Sequence, residues 1–220
     1  IWGKVIWFRN NGTRGNPRLD PARPVKVEWN GSPAKPEWNW WHPSANELAT
    51  QWRTTPLVID WNGDELNDLI MLDAEGRLSF FERRQTSEGL TLTAPRRIFR
   101  GRNGSVFGRD HRMIEDGEGL LVLNNGLAGK SGRRKFAMTD WDQDGKTDLL
   151  VNSRNINFLR NVSTEKDRVV FRDEGPLGEA KLAGHTTSPA LVDWDKDGIK
   201  DLLVGAEDGF FYYLKNPHSN

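Results

Sequence analysis

The sequence predicts an all-β chain, a β-propeller built from four-stranded antiparallel blades, on three observations. The first is a repeated acidic segment: DWNGDELNDLIML from Asp60, DWDQDGKTDLLVN from Asp140 and DWDKDGIKDLLVG from Asp193. The second is its surroundings, with a short apolar run before each copy and a second apolar run, a turn and an aromatic run after it. The third is that no stretch carries a sustained 3.6-residue apolar period, whereas units of about 40 to 50 residues are the signature of propeller blades.

In chain order, Val5-Ile6-Trp7-Phe8-Arg9-Asn10 reads as the returning strand of a partial unit spanning about residues 1–30. A unit at about 55–100 opens with Pro56-Leu57-Val58-Ile59, turns at Asp73-Ala74-Glu75-Gly76, returns through Leu78 to Phe81 and takes a fourth strand in Leu90 to Ile98. The next, at about 133–175, opens with Phe136-Ala137-Met138-Thr139, turns at Asn152-Ser153-Arg154-Asn155, returns through Ile156 to Leu159 and ends in Val169 to Phe171. The last, at about 185–220, opens with Pro189-Ala190-Leu191-Val192, turns at Glu207-Asp208-Gly209 and returns through Phe210 to Leu214. Successive acidic segments start 80 and then 53 residues apart, which places an insertion within Gly101 to Arg134. Three units and a half fall short of the about four to eight blades that close a ring. The 220 residues are therefore expected to be a single propeller domain or the C-terminal portion of one, completed by the remainder of a longer chain.

Composition narrows the function classes. With 31 basic and 31 acidic residues the formal charge is zero, so no general field draws nucleic acid or an anionic membrane, and neither is expected as a partner. No apolar run approaches the about 18 residues that span a bilayer, so no membrane insertion is expected. The absence of cysteine excludes a disulfide scaffold, a thiolate metal site and a cysteine nucleophile. Ten tryptophans and ten phenylalanines against two tyrosines suit small strands held together by large flat side chains. The chain begins at Ile1 with no recognisable leader, which reads as processing or excision from something longer.

Carboxylates at alternate positions of a tight loop repel one another unless a cation neutralises them, and calcium, which takes six to eight oxygens, is the natural guest. Positions 1, 3, 5 and 9, with a carbonyl at 7, supply the ligands. In the third loop these are Asp193, Asp195, Asp197, the Ile199 carbonyl and Asp201, and in the second Asp140, Asp142, Asp144, the Lys146 carbonyl and Asp148. Gly145 and Gly198 stand at position 6, where the loop turns sharply. The first loop offers Asp60, Asn62, Asp64, the Leu66 carbonyl and Asp68, but Glu65 replaces the turn glycine and Asn62 removes a charge. Its site is expected to be weaker by about tenfold or more. An EF-hand is excluded, because its twelve-residue loop ends in Glu between helices.

On these motifs the chain resembles the FG-GAP/VCBS repeat proteins, whose blades carry DxDxDGxxD followed by an apolar strand, a turn and an aromatic strand. The resemblance implies a propeller, usually seven-bladed, with calcium in the loop between the first two strands of a blade. It also implies an exported protein: secreted, periplasmic or displayed at the cell surface. Structural calcium sites of this kind suit millimolar extracellular calcium. Four sequons, at Asn11, Asn30, Asn103 and Asn161, matter only in a eukaryotic secretory pathway.

Aligning the units on their first Asp places Trp52 and Arg53 opposite His185 and Thr186, with Arg133 in the place of Arg53. Trp52, Arg53, Arg133, Arg134 and His185 are thereby candidates to line one axial pocket. Guanidinium groups beside an aromatic face suit an acidic sugar. The alternative is that the arginines are solvated or ion-paired and that Trp52 packs between blades. Trp38 and Trp40, alternating in a Pro-rich insert, are either a sugar platform or core. Trp61, Trp141 and Trp194 recur with the acidic motif and are expected to pack between blades. The preferred function is a calcium-stabilised propeller that binds carbohydrate, within a polysaccharide-processing protein. The alternatives are a lyase acting on an acidic glycan, with His185, His42 or His111 as base and Arg53 or Arg133 neutralising the uronate, and a protein-binding adhesion module.

Overall fold

A computed structural model describes all residues except 1–2, 34–41, 109–112, 115–116, 125–132, 166, 183–186 and 219–220. Among the described residues every regular element is a strand, so the chain is all-β as its sequence predicts. Two compact units divide the described residues, one within 3–97, the other within 98–124 and 133–218.

The first unit contains β1 (Ile6–Trp7), β2 (Arg23–Pro24), β3 (Val27–Glu28), β4 (Leu57–Ile59), β5 (Asp68–Leu72), β6 (Leu78–Phe81), β7 (Arg83–Thr86) and β8 (Gly89–Thr93). β4, β5 and β6 form an antiparallel sheet in that order, with Leu57 opposite Ile70 and Leu69 opposite Phe81. All five residues of β5 are buried, because the central strand has both faces covered. One of those faces packs in a core of Val5, Val27, Leu48, Leu69, Met71, Phe81 and Leu92. The expected fourth strand over Leu90 to Ile98 is a correction. β7 and β8 close instead into a local hairpin around Gly89, at φ 116°, and β8 pairs in parallel with β3. Adjacent segments pair at small loop-closure cost, and the single bridge from Phe80 to Arg96 is what remains of the expected edge. The N-terminal returning strand is likewise reduced to β1, paired with β2.

The second unit contains β9 (Phe99–Gly101), β10 (Val106–Phe107), β11 (Met113–Ile114), β12 (Gly119–Leu120), β13 (Phe136–Thr139), β14 (Asp148–Asn152), β15 (Ile156–Asn161), β16 (Val169–Pro176), β17 (Thr187–Val192), β18 (Asp201–Ala206) and β19 (Phe211–Leu214). The four antiparallel strands expected of a blade are present as β13 to β16. Two more strands precede them in sequence, β9 just before the insertion and β12 within it, giving the order β12-β9-β16-β15-β14-β13, with β9 parallel to β16. Within this insertion the backbone packs against itself: a Cβ on Gly101 would meet the Gly104 carbonyl oxygen at 1.7 Å, so no larger residue fits. β17, β18 and β19 form a three-stranded sheet. Its Leu202 and Val204, with Leu191, Tyr212 and Leu214, pack on Leu150 and Ile156 of the six-stranded sheet and on Trp141 of the loop between β13 and β14. Among the described residues no sheet closes on itself.

The three motif tryptophans part company here. Trp141 is 3% exposed between two sheets, as expected, and Trp61 is half-buried. Trp194 is 59% exposed, its ring 6.0 Å from that of Tyr213, so the expectation that it packs between blades is corrected.

Candidate functional site

Each acidic loop links the first two strands of a sheet: β4 to β5, β13 to β14, and β17 to β18. The chain reverses there by placing two residues in the left-handed region. In the second loop these are Gln143 (φ 60°) and Gly145 (φ 86°), and in the third Lys196 (φ 64°) and Gly198 (φ 91°). The first loop uses the same two positions with the glycine exchanged, Gly63 at 78° and Glu65 at 67°. Each loop thus holds one glycine and one left-handed non-glycine residue, so Glu65 occupies a backbone conformation that the other loops also use.

The loops fold around their own carboxylates. Asp140 Oδ1 and Oδ2 accept from the N–H groups of Asp144 (3.0 Å) and Gly145 (3.0 Å), and Asp144 Oδ1 from that of Lys146 (3.0 Å). Asp60 receives Gly63 (2.8 Å), Asp64 (3.2 Å) and Glu65 (3.0 Å) in the same way. In the third loop Asp193 Oδ2 accepts from Gly198 (3.2 Å) and Asp197 Oδ1 from Ile199 (2.9 Å). Such Asx turns are one reason that aspartate suits these positions.

The ninth carboxylate has a second task that sequence reasoning missed. Asp148, fully buried, accepts from the N–H of Trp141 (2.9 Å) at Oδ2 and from that of Asn161 (2.7 Å) at Oδ1, tying the loop entrance to the end of the third strand. Asp68 does this with Trp61 (3.0 Å) and Arg83 (2.7 Å), and Asp201 with Trp194 (3.2 Å) and Asn216 (2.8 Å). The signal was present in the Asn161 and Asn216 that end two of the returning strands. Their side-chain amides donate to the carbonyls of Thr147 (2.9 Å) and Lys200 (3.1 Å), beside each ninth Asp. Burial pushes the Asp148 carboxyl up to about 6 and raises that of Asp68.

The residues fit a hard divalent cation. One carboxylate oxygen from each of Asp140, Asp142 and Asp148 lies within 4.8 Å of the others, and so do those of Asp193, Asp195 and Asp197. Asp193 Oδ1 is buried with no hydrogen-bond partner, the kind of orphaned oxygen that a cation satisfies. In the first loop the Asn62 amide donates to Asp64 Oδ2 (2.9 Å), so an internal donor eases the repulsion there. The seventh positions, Leu66, Lys146 and Ile199, fall on the turn into the second strand of each sheet.

The ligand candidates separate by unit. In the first, the Arg53 guanidinium carbon lies 4.0 Å from the centroid of the Trp52 ring, both residues are half-buried, and Arg53 holds a left-handed φ of 61°. The neighbouring Thr54 Oγ1 is buried without a hydrogen-bond partner. His42 is exposed. In the second unit Arg134 is turned to backbone carbonyls. Its guanidinium donates to the carbonyls of Leu123 (2.7 Å), Gly108 (3.0 Å) and Asn152 (3.4 Å) and lies 4.5 Å from the Phe107 ring centroid. Burial there lowers it to about 10. Arg133 lends its carbonyl to the Asn152 amide (3.3 Å). His185, His111, Trp38 and Trp40 lie outside the described residues. A cleft of about 390 Å³, with Trp141, Leu177, Leu182, Tyr212 and Leu214 along its wall and Glu179 and Lys215 as its charged groups, was not foreseen, because its residues come from distant parts of the sequence.

Residues 140–204 match the FG-GAP-like repeat, covering the second and third acidic loops and the strands between them. No curated protein and no solved structure matches the chain. The chain therefore carries an FG-GAP-like repeat, the building unit of a β-propeller, in keeping with the resemblance its motifs suggest.

Proposed function

We propose that the chain is an exported, calcium-stabilised propeller module that binds carbohydrate. The observation that carries the calcium half is Asp193 Oδ1, buried and unsatisfied inside a cluster of three carboxylates. Ions at the three loops fix the connections between first and second strands, and so fix the face those connections present. Calcium at extracellular levels suits such a role, which places the protein outside the cytosol, with the rest of a longer propeller chain as its structural partner.

The carbohydrate half is supported by Trp52 and Arg53. An indole with a guanidinium over it presents an apolar surface for a pyranose and a fork of donors for a carboxylate, which favours an acidic polysaccharide. The left-handed Arg53 backbone and the unsatisfied Thr54 hydroxyl beside it support this reading.

Two measurements test the reading. Calcium at about 100 times its dissociation constant stabilises a native state by about 2.7 kcal/mol, so the melting midpoint in excess calcium is expected several degrees above that in chelator. Equal midpoints refute the metal. Retention on an immobilised uronate polysaccharide is expected to be lost in Trp52→Ala and Arg53→Gln. Retention unchanged in both removes the ligand site, and a rise in unsaturated-uronate absorbance during incubation would replace a binding module with a lyase.

A further inference from the structure

We propose that a basic side chain on the third strand of each later sheet is a tethered counter-ion that weakens calcium binding in its loop. This rests on the calcium reading above. Arg160 reaches from β15 back to the second loop, with Nε 2.6 Å from Asp142 Oδ2 and Nη2 3.5 Å from Asp144 Oδ2. Lys215, just past β19, places Nζ 3.0 Å from Asp195 Oδ2 in the third loop. The two occupy equivalent places, since each immediately precedes the asparagine whose N–H holds the ninth carboxylate: Asn161 on Asp148 and Asn216 on Asp201.

In the first sheet that place belongs to Glu82, one residue before Arg83, whose N–H holds Asp68. Glu82 pairs with Arg84 (3.0 Å) and Arg96 (3.5 Å). No cation pairs with Asp60 or Asp64 among the described residues. The first loop is also the one with Asn62 in place of aspartate at position 3. Within a single chain, then, aspartate at position 3 accompanies a tethered cation, and asparagine accompanies none. The exchange leaves the ligand carboxylates and tethered cations of each loop with the same net charge of three negative units.

The two states of a loop feel the tether oppositely. Without metal, the guanidinium or ammonium offsets repulsion among crowded carboxylates and holds the loop together. With a divalent ion bound, the same group is a like charge a few ångströms from the metal, and it occupies the carboxylate at position 3. Arg160 cannot escape by losing its proton. The side chains of Arg160 and Lys215 are 39% and 46% exposed, so solvent screens the effect to about one decade in affinity rather than several. The charge that Asn62 removes from the first loop is then offset by the missing tether.

The test is calcium titration of the full chain by calorimetry, in the wild type and in Arg160→Gln and Lys215→Gln, with thermal midpoints taken in excess chelator. Each variant is expected to bind calcium about tenfold more tightly at one site while melting lower without metal, a pairing of opposite signs that a merely structural side chain does not give. If wild type binds calcium and both variants bind it equally or less tightly, the tether is overturned and the calcium reading stands. If wild type shows no calcium binding, both fall. The two side chains serve different sheets, so a folding failure in one variant leaves the other to decide.

Discussion

Alanine in place of Gly63 tests whether the first acidic loop is built like the other two. Gly63, Gly145 and Gly198 hold φ values of 78°, 86° and 91°, and a Cβ added at any of them meets nothing within 4 Å. The cost is therefore conformational, with no steric part. Holding an L-residue left-handed costs about 1–2 kcal/mol, and the stiffer unfolded chain returns about 0.4–1 kcal/mol. Each Gly→Ala substitution is expected to cost about 1 kcal/mol, or about 2–4 °C in a chain of this size. Scanning calorimetry in excess chelator isolates the backbone effect from any metal. Gly63 occupies a different loop position from Gly145 and Gly198, so equal losses mean that the first loop needs a left-handed residue at its fourth position as the other two need one at their sixth. A neutral Gly63→Ala beside costly Gly145→Ala and Gly198→Ala would refute that reasoning.

Trp141→Ala should lose about 3–5 kcal/mol, the range for truncating a large buried aromatic, whereas Trp194→Ala should stay within about 0.5 kcal/mol because its ring is mostly in solvent; urea unfolding compares the two. The Asp148 carboxyl, raised from 3.8 to about 6 in the folded chain, holds its proton more tightly folded than unfolded. Its contribution to stability is thus fully present below about pH 4 and lost as pH rises through about 6. In chelator, the difference in unfolding free energy between wild type and Asp148→Asn should shift against the wild type across that interval, and a difference that is flat with pH would disprove it.

The parts of the fold legible from sequence were those set locally. Alternating aspartates, the apolar run after them and the turn glycines specify β4 to β6, β13 to β15 and β17 to β19 within a residue or two, because each is a hairpin closed by neighbouring residues. What escaped depended on long-range competition. The Leu90 to Ile98 segment could pair with β6 or with its own upstream neighbour, and apolar pattern alone does not rank them. The insertion carried too short an alternation to show that Phe99 to Gly101 would lie parallel to β16. At the site, ligand types and spacing were readable, while the clamp formed by the ninth aspartate was not, since a metal-ligand pattern already accounted for it. The surroundings of Arg134 were unreadable for another reason: its spacing offers it to a pocket, and only the carbonyls of Leu123, Gly108 and Asn152, distant in sequence, show where its donors go.

Strands left bare along one side recruit other chains, and β16 would be such a strand if the sheet stopped after four. The segment carrying β9 and β12 lies along it and satisfies its outward-facing peptide groups, as in the bond from the Val169 N–H to the Ile98 carbonyl (2.9 Å). The segment thus moves the edge of the sheet from the eight-residue β16 to the two-residue β12, and removing it is expected to leave the peptide groups of β16 without these partners.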